Sequence, residues 1–121
     1  MSERVVILGA SDQPDRYAHR AFRMLREHGH EVVPVHPTLS EIEGVAVVPD
    51  LPSVEGPVDT LTLYVRPSIS ESITDDIVAL KPARVIFNPG TESTVVQARL
   101  DEAGIPWEEA CTLVLLGTGM F

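Results

Sequence analysis

The sequence predicts a doubly wound α/β fold, a mostly parallel sheet of five to six strands with helices on both faces. Three observations predict it. Four short runs, Val5–Leu8, Val32–Val35, Thr60–Val65 and Arg84–Phe87, are rich in β-branched residues and nearly continuous in apolar character. Strands covered on both faces read this way, whereas half-exposed strands alternate. Helical patterns fill the gaps between these runs, and alternation of strand and helix marks parallel βαβ units with right-handed crossovers. The first run also ends in Gly9-Ala10-Ser11, a small-residue turn of the kind that opens into a helix whose N-terminus faces an anion.

Each element has its own local reason. After the first strand, Tyr17–His28 is amphipathic and stops at Gly29, a C′ residue. At 100° per residue, Tyr17, Ala18, Ala21, Phe22, Met24 and Leu25 share its apolar side, while the arginines and His19 fall toward the polar side. Val32–Val35 is the second strand, and Val45–Val48 a short one after the turn at Gly44. Following Thr60–Val65, the capping-box spacing Ser68-Ile69-Ser70-Glu71 opens a helix to about Leu80, ended by Pro82. After Arg84–Phe87, a helix runs from about Thr91 through Val95, Val96 and Leu100 to about Ala103, with Gly104 closing it. Ile105-Pro106-Trp107 reads as a short last strand, and the apolar tail Ala110–Leu116 as a helix. Together these give a Rossmann-like domain, a single unit over residues 1–121, long enough for one core.

Charge narrows the partners. The net charge of −9 argues against nucleic acid, which needs a basic footprint. Residues 1–26 nevertheless hold five arginines (Arg4, Arg16, Arg20, Arg23, Arg26) against three acids, and the remainder four basic residues against fifteen acids. The local positive excess lies beside the Gly9 turn. Arg16 and Arg20 are near enough to the helix start to reach a phosphate, and Arg23 and Arg26 read as solvated. No run reaches the ~18–20 apolar residues of a membrane span. Met1-Ser2-Glu3-Arg4 leads straight into the first strand, so no signal peptide is expected. A single cysteine, Cys111, excludes an internal disulfide and makes a cytoplasmic location the expectation.

In open α/β sheets ligands bind outside the carboxyl ends of the strands. Those ends carry Gly9-Ala10-Ser11, His36-Pro37-Thr38, Arg66-Pro67 and Asn88-Pro89-Gly90-Thr91, each a turn with Gly or Pro, or a small residue, beside a polar group. Strand-to-helix loops need such residues anyway, so it is the set of four that outlines a cleft. NAD fits it poorly. The dinucleotide fingerprint wants further glycines where this chain reads Ala10-Ser11-Asp12-Gln13-Pro14, and no acid follows Val35. There is no Gly-Lys-Ser/Thr for a Walker-type loop.

These residues, Gly9-Ala10-Ser11 with Pro14 and Arg16, then Val33-Pro34-Val35-His36-Pro37, carry a resemblance that continues through Pro49-Asp50-Leu51, Pro57-Val58-Asp59, Arg66-Pro67, Asn88-Pro89-Gly90 and Cys111. Over nearly its whole length the chain resembles the small stand-alone CoA-binding proteins, which are similar to the CoA-binding domain of the succinyl-CoA synthetase α subunit. The resemblance implies coenzyme A or an acyl-CoA as ligand. It implies Gly9, Ala10 and Ser11, helped by Arg16, at the pyrophosphate, with Tyr17 also among the cofactor-binding residues. His36 and Pro37 would lie against the adenosine, with Val65, Arg66 and Pro67 bordering adenine and pantetheine. Asn88, Pro89 and Gly90 would close the far side. Many relatives read Asn-Pro-Lys where this chain has His36-Pro37-Thr38, so the resemblance also implies a charge contact to the 3′-phosphate that Thr38 gives up.

No residue pattern demands catalysis. His28-Gly29-His30 straddles a helix end, where a partly cationic histidine suits the dipole. No Cys/His or carboxylate spacing suggests a metal. Cys111 sits in an apolar context as a small buried hydrophobe, with a reactive thiol as the alternative. A nucleophile needs a partnered base, and none is evident for Cys111 or Ser11. The expectation is a binding module without catalytic or metal-ligating residues, taking a small nucleotide ligand and no nucleic acid or membrane. A small enzyme acting on an acyl-CoA thioester through His36, His19 or Cys111 is the alternative. A NAD(P)-type domain and an interaction domain with an empty cleft stay open, as do a homo-oligomer and a protein partner.

Overall fold

The computed structural model describes residues 2–121. Its strands are β1 (Arg4–Leu8), β2 (Glu31–Val35), β3 (Glu41–Ile42), β4 (Val45–Ala46), β5 (Thr60–Leu63), β6 (Arg84–Phe87) and β7 (Trp107–Glu109). Its helices are α1 (Tyr17–Glu27), α2 (Pro67–Ser72), α3 (Thr74–Leu80), α4 (Thr94–Ala103) and α5 (Thr112–Gly117). Five strands form one parallel sheet in the order β2-β1-β5-β6-β7, the predicted α/β architecture. A sixth does not join. Residues 45–46 instead pair antiparallel with Glu41–Ile42. Glu43 and Gly44, at φ 47° and 83°, make the two-residue turn between them. Val48 makes only a bridge to Val35.

Alternate residues of the strands feed two cores. Val5 and Ile7 face Ala18, Phe22 and Leu25 of α1 and Leu116 of α5. Val6, Leu8, Leu61 and Leu63 face Ile77 of α3, Val96 and Leu100 of α4, and Leu51 in a short 3-10 turn. Burial on both faces is why the runs read as continuous.

Three local expectations change. The helix expected from Ser68 to Leu80 begins one residue earlier, with Pro67 in its first turn, where a missing N–H costs nothing. It also breaks at Ile73. There Thr74 Oγ1 donates to the carbonyls of Ser70 and Glu71, and Ser72 Oγ to that of Ile69. Hydroxyls bonding back to carbonyls compete with the helical ladder. The chain restarts as α3 with Asp75 and Asp76 in its first turn, where negative charge is favoured. Strand β5 stops at Leu63, two residues short of expectation.

Third, the outer flank of α1 is covered. His19, expected on the polar side, is 2% exposed, and its Nε2 lies 2.6 Å from Glu43 Oε2. Arg23, expected to be solvated, donates from Nε to the same oxygen at 2.7 Å, and this bond holds the Glu43 carboxyl below the ordinary carboxylate range. The β3–β4 hairpin therefore clasps α1. Tyr17 departs in the other direction: expected on the apolar side, it is 67% exposed. At the other end of α1, His30 is no cation in waiting. Its Nδ1 accepts the Glu3 N–H at 2.9 Å, and burial pushes its pKa down.

Candidate functional site

The topology leaves a crevice where successive connections diverge. The chain leaves β1 for β2 on one side, while β5 flanks β1 on the other. Such a switch point is where open α/β sheets bind ligands. A cleft of about 810 Å³ opens there, lined from four connections: residues 9–13 and 16–18 after β1, His36, Pro37 and Leu39 after β2, residues 64–66 after β5, and Pro89–Thr91 after β6.

Gly9 holds the first wall in place, but not for the reason its sequence context suggests. Its φ is +89°, and a Cβ there would lie 2.8 Å from Val65 Cγ1 and 3.0 Å from the Tyr64 carbonyl. Its missing side chain makes room for the chain leaving β5. Nor are the first turn amides open to a ligand. Gly9 and Ala10 both donate to the Val35 carbonyl, at 3.2 and 3.1 Å, and Ala10 is buried in the core. The cradle lies one residue further along. Among the described residues, the N–H groups of Ser11, Asp12, Tyr17 and Ala18 meet no protein acceptor. The last two stand at the positive end of the α1 dipole. Ser11 Oγ accepts the Gln13 N–H at 3.1 Å and shapes the turn.

Two guanidinium groups face the cleft without a carboxylate. Arg16, the N-cap of α1, touches only the Gln13 amide at 3.4 Å, and Arg66, the N-cap of α2, has no side-chain partner among the described residues. Arg20 points elsewhere, over the Tyr17 ring at 5.5 Å. Among the described residues, the only acid in the lining is the exposed Asp12.

The remaining walls are organised by side chains that bond inward. His36 Nδ1 accepts the N–H groups of Thr38 and Leu39, each at 3.1 Å, closing the loop after β2 on its own ring. Asn88, expected at the ligand, is 3% exposed and lies beneath the cleft. Its Nδ2 donates to Thr62 Oγ1 and to the Leu63 carbonyl at 2.6 and 2.8 Å, and its Oδ1 accepts the Thr112 N–H at 2.9 Å. Every polar atom of the side chain is used to tie β6 to β5 and α5. Pro67 likewise stands outside the lining, while Val65, Arg66, Pro89 and Gly90 are in it.

Sequence reasoning missed Tyr64 and Leu39. Tyr64 lines the cleft, and its wholly buried hydroxyl lies near Thr62, Thr112 and Cys111 without a well-formed hydrogen bond. Burial pushes its pKa up to about 12. Reading β5 two residues too long hid it inside a strand. Cys111 is half-buried at the start of α5, behind Tyr64 and outside the cleft lining. Among the described residues no three His, Cys, Asp or Glu side chains cluster as a metal site. Nor, among them, is any helix long and apolar enough to cross a membrane.

Comparison with known proteins agrees with this architecture. The family model described as a CoA binding domain matches residues 3–117. A crystal structure of an uncharacterized protein is 43% identical over 100% of this chain and 99% of its own, with a TM-score of 0.93. The uncharacterized protein YneT of Bacillus subtilis (strain 168) is 33% identical over 78 residues, 61% of this chain. That match spans 58% of the relative's own length, so the chain corresponds to little more than half of it. A dinucleotide-forming acetyl-coenzyme A synthetase 1 from Ca. Korarchaeum cryptofilum shares the fold, at TM-score 0.74 and 20% identity. The likeness covers 87% of this chain and 25% of that one.

Proposed function

The chain belongs to the CoA-binding domain family, and from that premise we propose that it binds coenzyme A or an acyl-CoA in the switch-point cleft without catalysing a reaction. One observation carries the ligand class: in a protein of net charge −9, two guanidinium groups without acids converge on the cleft, from α1 and from α2. Two cations facing one cleft make a local positive field that draws an anion. The free amides of Ser11, Asp12, Tyr17 and Ala18 supply neutral donors for the same anion.

In this reading Ser11 and Arg16 hold the pyrophosphate from the α1 side, and Arg66 from the β5 side. His36, Pro37 and Tyr17 border the adenosine, and Val65 and Pro89 offer apolar surface to the pantetheine arm. The non-catalytic half of the proposal draws support from how the polar side chains of the lining are engaged. Ser11 Oγ is bonded to an amide, Thr91 Oγ1 donates to the Asn88 carbonyl at 2.8 Å, and His36 Nδ1 is taken by two amides. None is coupled to a base as an activated nucleophile would be.

Thermal denaturation with CoA, acetyl-CoA, NAD and ATP tests the ligand. A true ligand at about 100 Kd adds about 2.7 kcal/mol of stability, and we expect the shift with CoA and acetyl-CoA. A shift with NAD alone would sink the proposal. The same acetyl-CoA samples should release no free thiol. Release that His36→Ala or Cys111→Ala abolishes would make the protein a thioester-processing enzyme.

A further inference from the structure

We infer that the cleft reads the diphosphate of its ligand and not a phosphate on the ribose, so that an adenosine diphosphate conjugate binds as well with a free 3′-hydroxyl as with a 3′-phosphate. This rests on the CoA reading above and refines it to a ligand class. Arg16 and Arg66, the unpaired arginines of the lining, flank the switch point, where the diphosphate of a nucleotide lies in folds of this kind.

The loop after the second strand is where such folds meet the adenosine ribose. A cation there accommodates a ribose phosphate, whereas hydrogen-bonding groups suit free hydroxyls. Here that loop, His36 to Leu39, has no lysine or arginine. Between Arg26 and Arg66 the chain carries none at all, against seven acids. The hairpin that follows brings Glu41 and Glu43, and Arg23, the cation that reaches this hairpin, is committed to Glu43 at 2.7 Å.

Backbone amides do not make up the deficit. Runs of free N–H groups form anion nests, but those of Thr38 and Leu39 are spent on His36 Nδ1, and that of His36 on the Val48 carbonyl at 3.0 Å. With Nδ1 an acceptor, the imidazole keeps its proton on Nε2, a neutral donor suited to a hydroxyl. Thr38 is exposed, so a 3′-phosphate beside it stays hydrated and contributes little.

Isothermal titration of the wild-type protein and of Thr38→Lys with CoA, 3′-dephospho-CoA and ADP tests this. In the wild type the Kd values for CoA and dephospho-CoA should agree within about threefold, the range of an exposed charge contact. Thr38→Lys should tighten CoA by about threefold to fivefold through a new exposed charge contact and leave dephospho-CoA unchanged. A wild-type preference for CoA of tenfold or more overturns the inference and leaves the CoA reading standing. An unchanged ratio in Thr38→Lys overturns it by placing the ribose elsewhere. Failure of both CoA and dephospho-CoA to bind overturns the CoA reading itself, and the inference with it.

Discussion

At the amino ends of the strands, charged side chains satisfy one another. Arg4 Nε binds Glu31 Oε2 at 2.8 Å, and the Arg4 amide donates to Asp59 Oδ2 at 2.7 Å. Glu3 accepts from Thr60 Oγ1 at 2.6 Å and lies 3.5 Å from Arg84, whose Nε donates to Thr60 at 2.9 Å. At the carboxyl ends, among the described residues, Arg16 and Arg66 stand without acids, and the amides of Ser11, Asp12, Tyr17 and Ala18 without acceptors. Both ends face water, so exposure does not explain the contrast. Closed networks hold strands in register, whereas open ones wait for something outside the chain. The difference separates a structural end of the sheet from a binding end.

Gly9→Val should produce the largest effect, because Gly9 lines the cleft and also makes room for the chain leaving β5. A branched side chain at φ +89°, with its Cβ 2.8 Å from Val65, should cost about 3 kcal/mol or more and lower the melting temperature by about 10 °C. A melting temperature unchanged by Gly9→Val would mean that the β5 exit is not packed against the turn. Arg16→Glu should break the contrast from the binding side. CoA affinity should fall by about tenfold or more, as a like charge meets the diphosphate, while ligand-free stability moves by less than about 0.5 kcal/mol. Unaltered affinity, read by titration, would put the phosphates elsewhere.

Arg4→Ala should do the reverse. Loss of the Glu31 and Pro57 contacts should cost about 1 kcal/mol in urea denaturation and leave CoA affinity untouched. A change in affinity would show the two ends to be coupled. The smallest effect is expected from His30. Its pKa in the folded chain lies below the ordinary 6.5 because burial disfavours the cation, so between the two values the unfolded chain binds more protons. Stability from this group is therefore present above about pH 6.5 and is lost as pH falls through the folded-state value. The melting temperature of the wild type should drop more between pH 7.5 and 5 than that of His30→Gln. Parallel pH profiles would remove His30 from the amino-end network.

What could be read from the sequence follows a physical boundary. Strand runs, the start of α1, the stop at Gly29 and the helix ending at Ala103, expected from about Thr91 and found from Thr94, depend on neighbours within a few residues. Periodicity and turn chemistry report those directly. The location of the cleft was legible for the same reason, since Gly- and Pro-bearing turns follow β1, β2, β5 and β6 in order. The loss of a sixth sheet strand and the break at Ile73 were not legible, because each turns on hydroxyl and turn contacts that compete with a stronger pattern.

Inside the site, the sequence by itself determined which loops meet at the carboxyl edge and that arginine accompanies the first of them. Tertiary structure decided which groups in those loops remain available. Gly9 and Ala10 lose their amides to Val35, Asn88 turns inward to Thr62, Leu63 and Thr112, and His19 disappears beneath Glu43. Each of those partners lies more than twenty residues away in the chain. A hydrogen-bonding group is spent or free according to what packs against it, and local pattern records only the face it occupies.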